Sequence, residues 1–188
     1  MNLDNSLFGE ANTPDKLFRI FNKLTHMKYS DYDNAIAELD ELEDEYRDRP
    51  EFYALKGSLY QLNKEYQSSV DSLSISISLN AENATYFHSR GYSYFQNEDF
   101  YEALDDFNMI INTKSLENRD YFLSDCYDKR ILIYCCLGQW SDAERELVHP
   151  SEDYTYYLEP IKGAINKSRI RNAINKRDIN WGQSSNCR

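Results

Sequence analysis

Apolar and small positions recur along this chain at a fixed distance. Four segments show it: "KYSDYDNAIAEL" (28–39), "LNKEYQSSVDSL" (62–73), "QNEDFYEALDDF" (96–107) and "LGQWSDAEREL" (137–147). Their aromatics, Tyr32, Tyr66, Phe100 and Trp140, lie 34, 34 and 40 residues apart. Three positions on stand the small residues Ala35, Ser69, Ala103 and Ala143, and four further on the large apolar Leu39, Leu73, Phe107 and Leu147. Upstream, Tyr53, Phe87 and Tyr127 repeat at 34 and 40, as do Tyr60, Tyr94 and Tyr134, while Gly57 and Gly91 stand 34 apart. A period of this length marks a stack of supersecondary units rather than one irregular core.

The unit reads as two helices joined by a tight turn. The first carries aromatics seven residues apart, which is about two turns and therefore one face. A small residue between them lets the second helix approach. One stretch resists this at first: in "VDSLSISISLN" (70–80), serines alternate with apolar residues from Leu73 to Leu79, as in a half-buried strand. The same stretch offers Val70, Leu73 and Ile77 at helical steps. These fall where every second helix of the repeat buries its face, so a helix is expected there.

These columns resemble the tetratricopeptide repeat (TPR) family, whose 34-residue unit has the same aromatic, glycine, tyrosine, alanine and apolar order. "YFHSRGYSYFQNEDFYEALDDFNMII" (86–111) is the fullest copy. The copy at 53–83 has Ser69 and Ser76 where alanines are usual; that at 16–49 has Lys23 in the glycine column; that at 118–150 has Ile131 there, after a six-residue insertion. The resemblance covers roughly residues 16–150 and implies an all-α, right-handed superhelix of stacked helix–turn–helix units at 16–49, 50–83, 84–117 and 118–150. It implies a fold and not an activity. Residues 1–15 read as an N-terminal tail, 151–177 as a C-terminal capping helix with Ile161 and Ile165 on its inner face, and 178–188 as a mobile tail.

Composition narrows the function. Residues 1–160 hold 14 Lys/Arg and 31 Asp/Glu, net −17, whereas residues 161–188 hold 7 Lys/Arg and only Asp178, net +6. An acidic body repels nucleic acid and favours basic partners. No window approaches the ~18 apolar residues of a membrane span, and the start "MNLDNSLFGEANTP" lacks a signal-peptide pattern. A cytoplasmic protein with no membrane contact is expected. Cys126, Cys135, Cys136 and Cys187 lack metal-site spacing and read as buried, reduced thiols.

Chemistry is sparse. His26, His88 and His149 stand in three different repeats, and no phosphate loop, metalloprotease signature or nucleophile elbow occurs. The acidic run "DELEDEYRD" (40–48) lacks the glycine and spacing of a calcium loop. No enzyme activity, cofactor or metal is expected. The resemblance places function in a concave groove lined by the first helices, onto which Ala54, Ser58, Gln61, Leu62, His88, Tyr92, Phe95, Gln96, Asp125, Asp128, Leu132 and Cys135 map. Tyr92, Phe95, Leu62 and Leu132 would form an apolar floor with Asp125 and Asp128 at one end. Chaperone-tail clamps of the family use lysine, asparagine and arginine there, but Ala54, Ser58, Ser89 and Asp125 occupy those positions and only Lys129 is basic. Two functions remain: a non-enzymatic adaptor or chaperone-like module holding a protein or peptide partner in its groove, and an acidic immunity- or antitoxin-like inhibitor of a basic toxin such as a nuclease.

Overall fold

In the computed structural model, residue 17 and residues 32–148, 155–157 and 164–176 are described. They are predominantly helical: α1 (Tyr32–Asp40), α2 (Glu43–Tyr46), α3 (Pro50–Leu62), α4 (Tyr66–Leu79), α5 (Ala84–Gln96), α6 (Phe100–Asn112), α7 (Arg119–Cys136), α8 (Trp140–Glu146) and α9 (Lys167–Lys176). The serine-alternating stretch lies in α4, as expected. Its serines are not idle. Ser69 Oγ lies 2.9 Å from Ser93 Oγ on α5, and Ser76 Oγ donates to the Pro50 carbonyl at 2.7 Å. Hydroxyls thus replace the usual alanines by satisfying polar groups inside helix–helix contacts.

From α3 to α8 each helix packs on the next, and α3 also touches α5, and α5 touches α7. The same local device closes each pair. Lys64, Glu98 and Gly138 all have positive φ, at 64°, 67° and 70°. The following amide donates back to the tyrosine column: Glu65 N to Tyr60 O (2.8 Å), Asp99 N to Tyr94 O (2.9 Å) and Gln139 N to Tyr134 O (2.8 Å). A left-handed residue with this six-to-one bond is a Schellman C-cap, and only the third instance uses the glycine that favours it.

Contacts within pairs keep a constant offset of 16 residues. A Cβ on Gly57 would stand 2.7 Å from Leu73 Cγ, and one on Gly91 would stand 2.9 Å from Phe107 Cε1. The glycine column therefore admits the apolar column of its partner helix. Leu17, Leu39, Phe52, Leu55, Leu59 and Leu73 are fully buried in one cluster, while Phe107, Ile110, Cys126 and Ile133 are buried in the next.

The insertion before α7 is anchored by backbone pairing. Glu117 N donates to Glu82 O at 2.7 Å, and Ala84 N donates to Glu117 O at 3.0 Å. Arg119 then donates to the carbonyls of Ile110 and Ile111 at 2.9 and 2.8 Å, satisfying the open end of α6.

The C-terminal region departs from a single capping helix. Thr155–Tyr157 (β1) pairs antiparallel with Ala164–Asn166 (β2), placing Ile165 opposite Tyr156, and helix begins only at Lys167. Thr-Tyr-Tyr favours extended backbone. α9 still covers the end of the stack, with Ile174 buried beside Cys135, Ala143 and Leu147. Ile161, the tails at 1–15 and 178–188, His26, His149, Lys23 and Trp181 lie outside the described residues.

Candidate functional site

Side chains of α5 and α7 meet in one polar cluster. His88 Nε2 lies 2.7 Å from Asp125 Oδ2, and Lys129 Nζ donates to Asp125 Oδ1 at 2.8 Å. The His88 ring stacks on Phe122 with centroids 4.4 Å apart, and Lys129 Nζ lies 6.0 Å from the centre of the Tyr92 ring. Helical spacing explains the grouping: His88 and Tyr92 are one turn apart on α5, as Asp125 and Lys129 are on α7. Burial alone would raise the Asp125 carboxyl, but the Lys129 charge and the His88 hydrogen bond outweigh it and hold the group well below the usual carboxylate range. Asp125 in turn keeps Lys129 charged against its burial.

The structure therefore brings His88, Tyr92 and Asp125 together as their helical positions imply, with side chains of His88 and Asp125 15% and 33% exposed. Leu62 and Gln96 are also part-exposed. The expected apolar floor is corrected. Phe95 and Leu132, each 4% exposed, belong to the core, Phe95 lying 6.1 Å from Phe100. Both point into the contact with the second helices, so they support the surface from beneath. Gln61 is buried too, donating to Ser93 Oγ at 2.8 Å and to the Ser89 carbonyl at 2.6 Å. Ala54 and Ser58 are buried within the stack, and Cys135 lies under α9. The acidic end is corrected likewise: Asp128 is 1% exposed, and Asp125 is ion-paired with Lys129 and hydrogen-bonded to His88.

One column went unrecognised in the sequence. Lys56, Arg90 and Arg130 stand 34 and 40 residues apart, between the two tyrosine columns. Arg90 donates in bidentate fashion to Asp106, sixteen residues later, at 2.9 and 2.7 Å, and to Ser74, sixteen residues earlier, at 3.0 Å. Arg130 meets Glu146 at 2.7 Å at the forward offset, and Lys56 meets Asp40 at 2.7 Å at the backward one. The guanidinium carbons lie 5.8 and 6.0 Å from the rings of Tyr94 and Phe87, and 5.7 and 6.0 Å from those of Tyr134 and Tyr127. Arg90 and Arg130 are thus clamped between aromatics, and all three cations are tied to a second helix. The repeat spacing that revealed the aromatics would have revealed these cations as well.

Residues 32–148 hold 10 Lys/Arg and 24 Asp/Glu, net −14. Seven of those cations, Arg49, Lys56, Arg90, Arg119, Lys129, Arg130 and Arg145, already face carboxylates. The surface consequently keeps a carboxylate surplus that internal pairing cannot cancel. No group of three or more His, Cys, Asp or Glu able to hold a metal occurs among the described residues, and no described helix is long and apolar enough to cross a membrane.

The cysteines divide. Cys126 and Cys135 are free and buried, and burial pushes the Cys135 thiol up to about 12. Cys136 is disulfide-bonded, contrary to the expectation that all thiols are reduced.

Comparison of the chain with models of known protein families, with curated proteins and with solved structures returned no match.

Proposed function

We propose that this chain is a non-enzymatic, TPR-like interaction module: a right-handed superhelix of helix pairs that holds a partner protein or peptide along its first helices. The observation that carries this reading is the His88–Asp125 pair, which joins first helices α5 and α7 of successive units at 2.7 Å. It creates a ledge at which His88, Tyr92, Gln96 and Asp125 stand side by side on a core-supported base. The constant sixteen-residue offsets support the repeat assignment. Partner contact on such a ledge is directional and polar, with Tyr92 and Leu62 supplying apolar area, rather than the broad apolar floor that the resemblance implies.

A second reading keeps one specific observation in its favour. The net charge of −14 over residues 32–148, with most cations internally paired, supports an acidic inhibitor that captures a basic protein by electrostatic steering. A cytoplasmic setting accords with the free thiols of Cys126 and Cys135, while the disulfide at Cys136 weighs against a strongly reducing one.

The test uses the partner co-purified from the native cell and identified by mass spectrometry. Its affinity is measured for wild type and for His88→Ala/Tyr92→Ala across ionic strength. The ledge reading expects at least a tenfold loss in the double variant, about 1.4 kcal/mol or more, with weak salt dependence. Steep salt dependence with no effect of the double variant supports the inhibitor. Affinity insensitive to both overturns the module at this site.

A further inference from the structure

The outer faces of α4 and α6 present the same exposed stripe one repeat apart. On α4 it runs Asp71, Ile75, Leu79, and on α6 Tyr101, Asp105, Met109, each step one helical turn. Asp71 and Asp105 occupy one repeat column, and Ile75 and Met109 the next. Ile75, Met109 and Tyr101 are 41%, 44% and 63% exposed. Arg90 bonds to both helices, at Ser74 of α4 and at Asp106 of α6, and each exposed stripe lies on the side of its helix away from the buried Leu73 and Phe107. Arg90, with its guanidinium over the half-buried Tyr94 ring, therefore joins α4 to α6.

The charge of these outer faces is one-sided. Neither α4 nor α6 contains a Lys or Arg, and Arg90 is already spent on Asp106. Asp71 accepts only a hydrogen bond from Gln67, and Glu102 and Asp105 are in no ion pair among the described residues.

We propose that this exposed outer face of α4 and α6 is a second docking surface, distinct from the first-helix ledge, and that its occupant is a cationic amphipathic helix. The charge complement selects it: basic side chains along the flanks of such a helix would meet Asp71, Glu102 and Asp105, while its apolar stripe covers Ile75, Met109 and Tyr101. An acidic helix would meet uncompensated carboxylates. A purely apolar one would leave them facing a covered surface.

The probe is a synthetic amphipathic helical peptide of leucine and lysine, with its leucine–glutamate counterpart as control. Affinity is measured by titration calorimetry, and the contact is mapped by amide chemical shifts on the full chain. The expected result is binding of the lysine peptide only, with shifts on residues 71–79 and 101–109. Ile75→Ser/Met109→Ser should weaken it about tenfold, as expected for loss of central apolar contacts. Asp71→Asn/Asp105→Asn should weaken it and flatten its salt dependence. These side chains are exposed, so melting should stay near wild type; a melting scan checks each variant. Tyr92→Ala, on the ledge, should leave binding unchanged. Absence of binding, equal binding of the glutamate peptide, shifts confined to α3, α5 and α7, or full affinity in Ile75→Ser/Met109→Ser would each overturn the proposal.

Discussion

Replacing Arg90 by Met removes a side chain whose hydrogen bonds tie α4, α5 and α6 together. Its partner Asp106 has a side chain 5% exposed, and the methionine would leave that carboxylate buried without its bidentate donor. Breaking one side of a fully buried pair costs about 3–5 kcal/mol. The Arg90 side chain is itself 20% exposed, so water can partly replace it, and about 2–4 kcal/mol is expected. For a chain of this size that lowers the melting midpoint by roughly 5–15 °C. The double variant Arg90→Met/Asp106→Leu should recover most of the loss, because it removes the buried charge along with its partner. Thermal melts of wild type, both singles and the double, followed by circular dichroism, form the cycle. An Arg90→Met protein that melts within a degree or two of wild type would refute the sixteen-residue tie. A double variant as unstable as the single would show that the guanidinium acts through packing on Phe87 and Tyr94 instead.

Three further outcomes follow from the geometry. Lys64→Gly and Glu98→Gly should each raise stability by about 0.5–1 kcal/mol in denaturant titrations, because both residues sit at positive φ where glycine is unstrained. Gly91→Leu should cost about 1–3 kcal/mol, since even a Cβ would stand 2.9 Å from Phe107, and an unchanged melting midpoint would break the assigned register. Asp125 has a depressed carboxyl, so its contribution is fully present above the unfolded value near pH ~4 and is lost as pH falls below it. Asp125→Asn should therefore be less stable than wild type at pH 7, with the gap starting to narrow below pH ~4 and still largely present at pH ~3; a gap independent of pH would contradict that assignment.

The repeat was legible because each column answers to a local rule. Tyr60, Tyr94 and Tyr134 supply the C-cap carbonyl, Gly57 and Gly91 the close approach, and Leu73 and Phe107 the side chain that fills it. Lys56, Arg90 and Arg130 were passed over because a cation on a helix is ordinarily solvated, and only three-dimensional packing shows all three paired with carboxylates and the two arginines turned between aromatics. The ledge was half legible. His88, Tyr92 and Asp125 follow from helical phase, but whether Phe95 and Leu132 face outward or down depends on the angle between successive pairs. Contacts between successive pairs, such as the Ser69–Ser93 hydrogen bond and the backbone pairing at Glu117, join residues far apart in sequence and bear on that angle. No single-sequence period encodes it. The strand pair after α8 was missed because helical phase was carried through Thr155–Tyr157, whose residues favour extended backbone.

Hydrogen–deuterium exchange of the chain with and without its co-purified partner tests the central claim most directly, because it reads the contact on the backbone of each helix. Opening free energies of neighbouring helices differ, so protection gained on binding is assigned peptide by peptide. The expected result is added protection across His88–Gln96 and Asp125–Leu132, the two first helices joined by the His88–Asp125 pair, and its weakening in His88→Ala/Tyr92→Ala. Protection confined to residues 33–48, or absent from α5 and α7, would contradict the ledge as the site of partner binding.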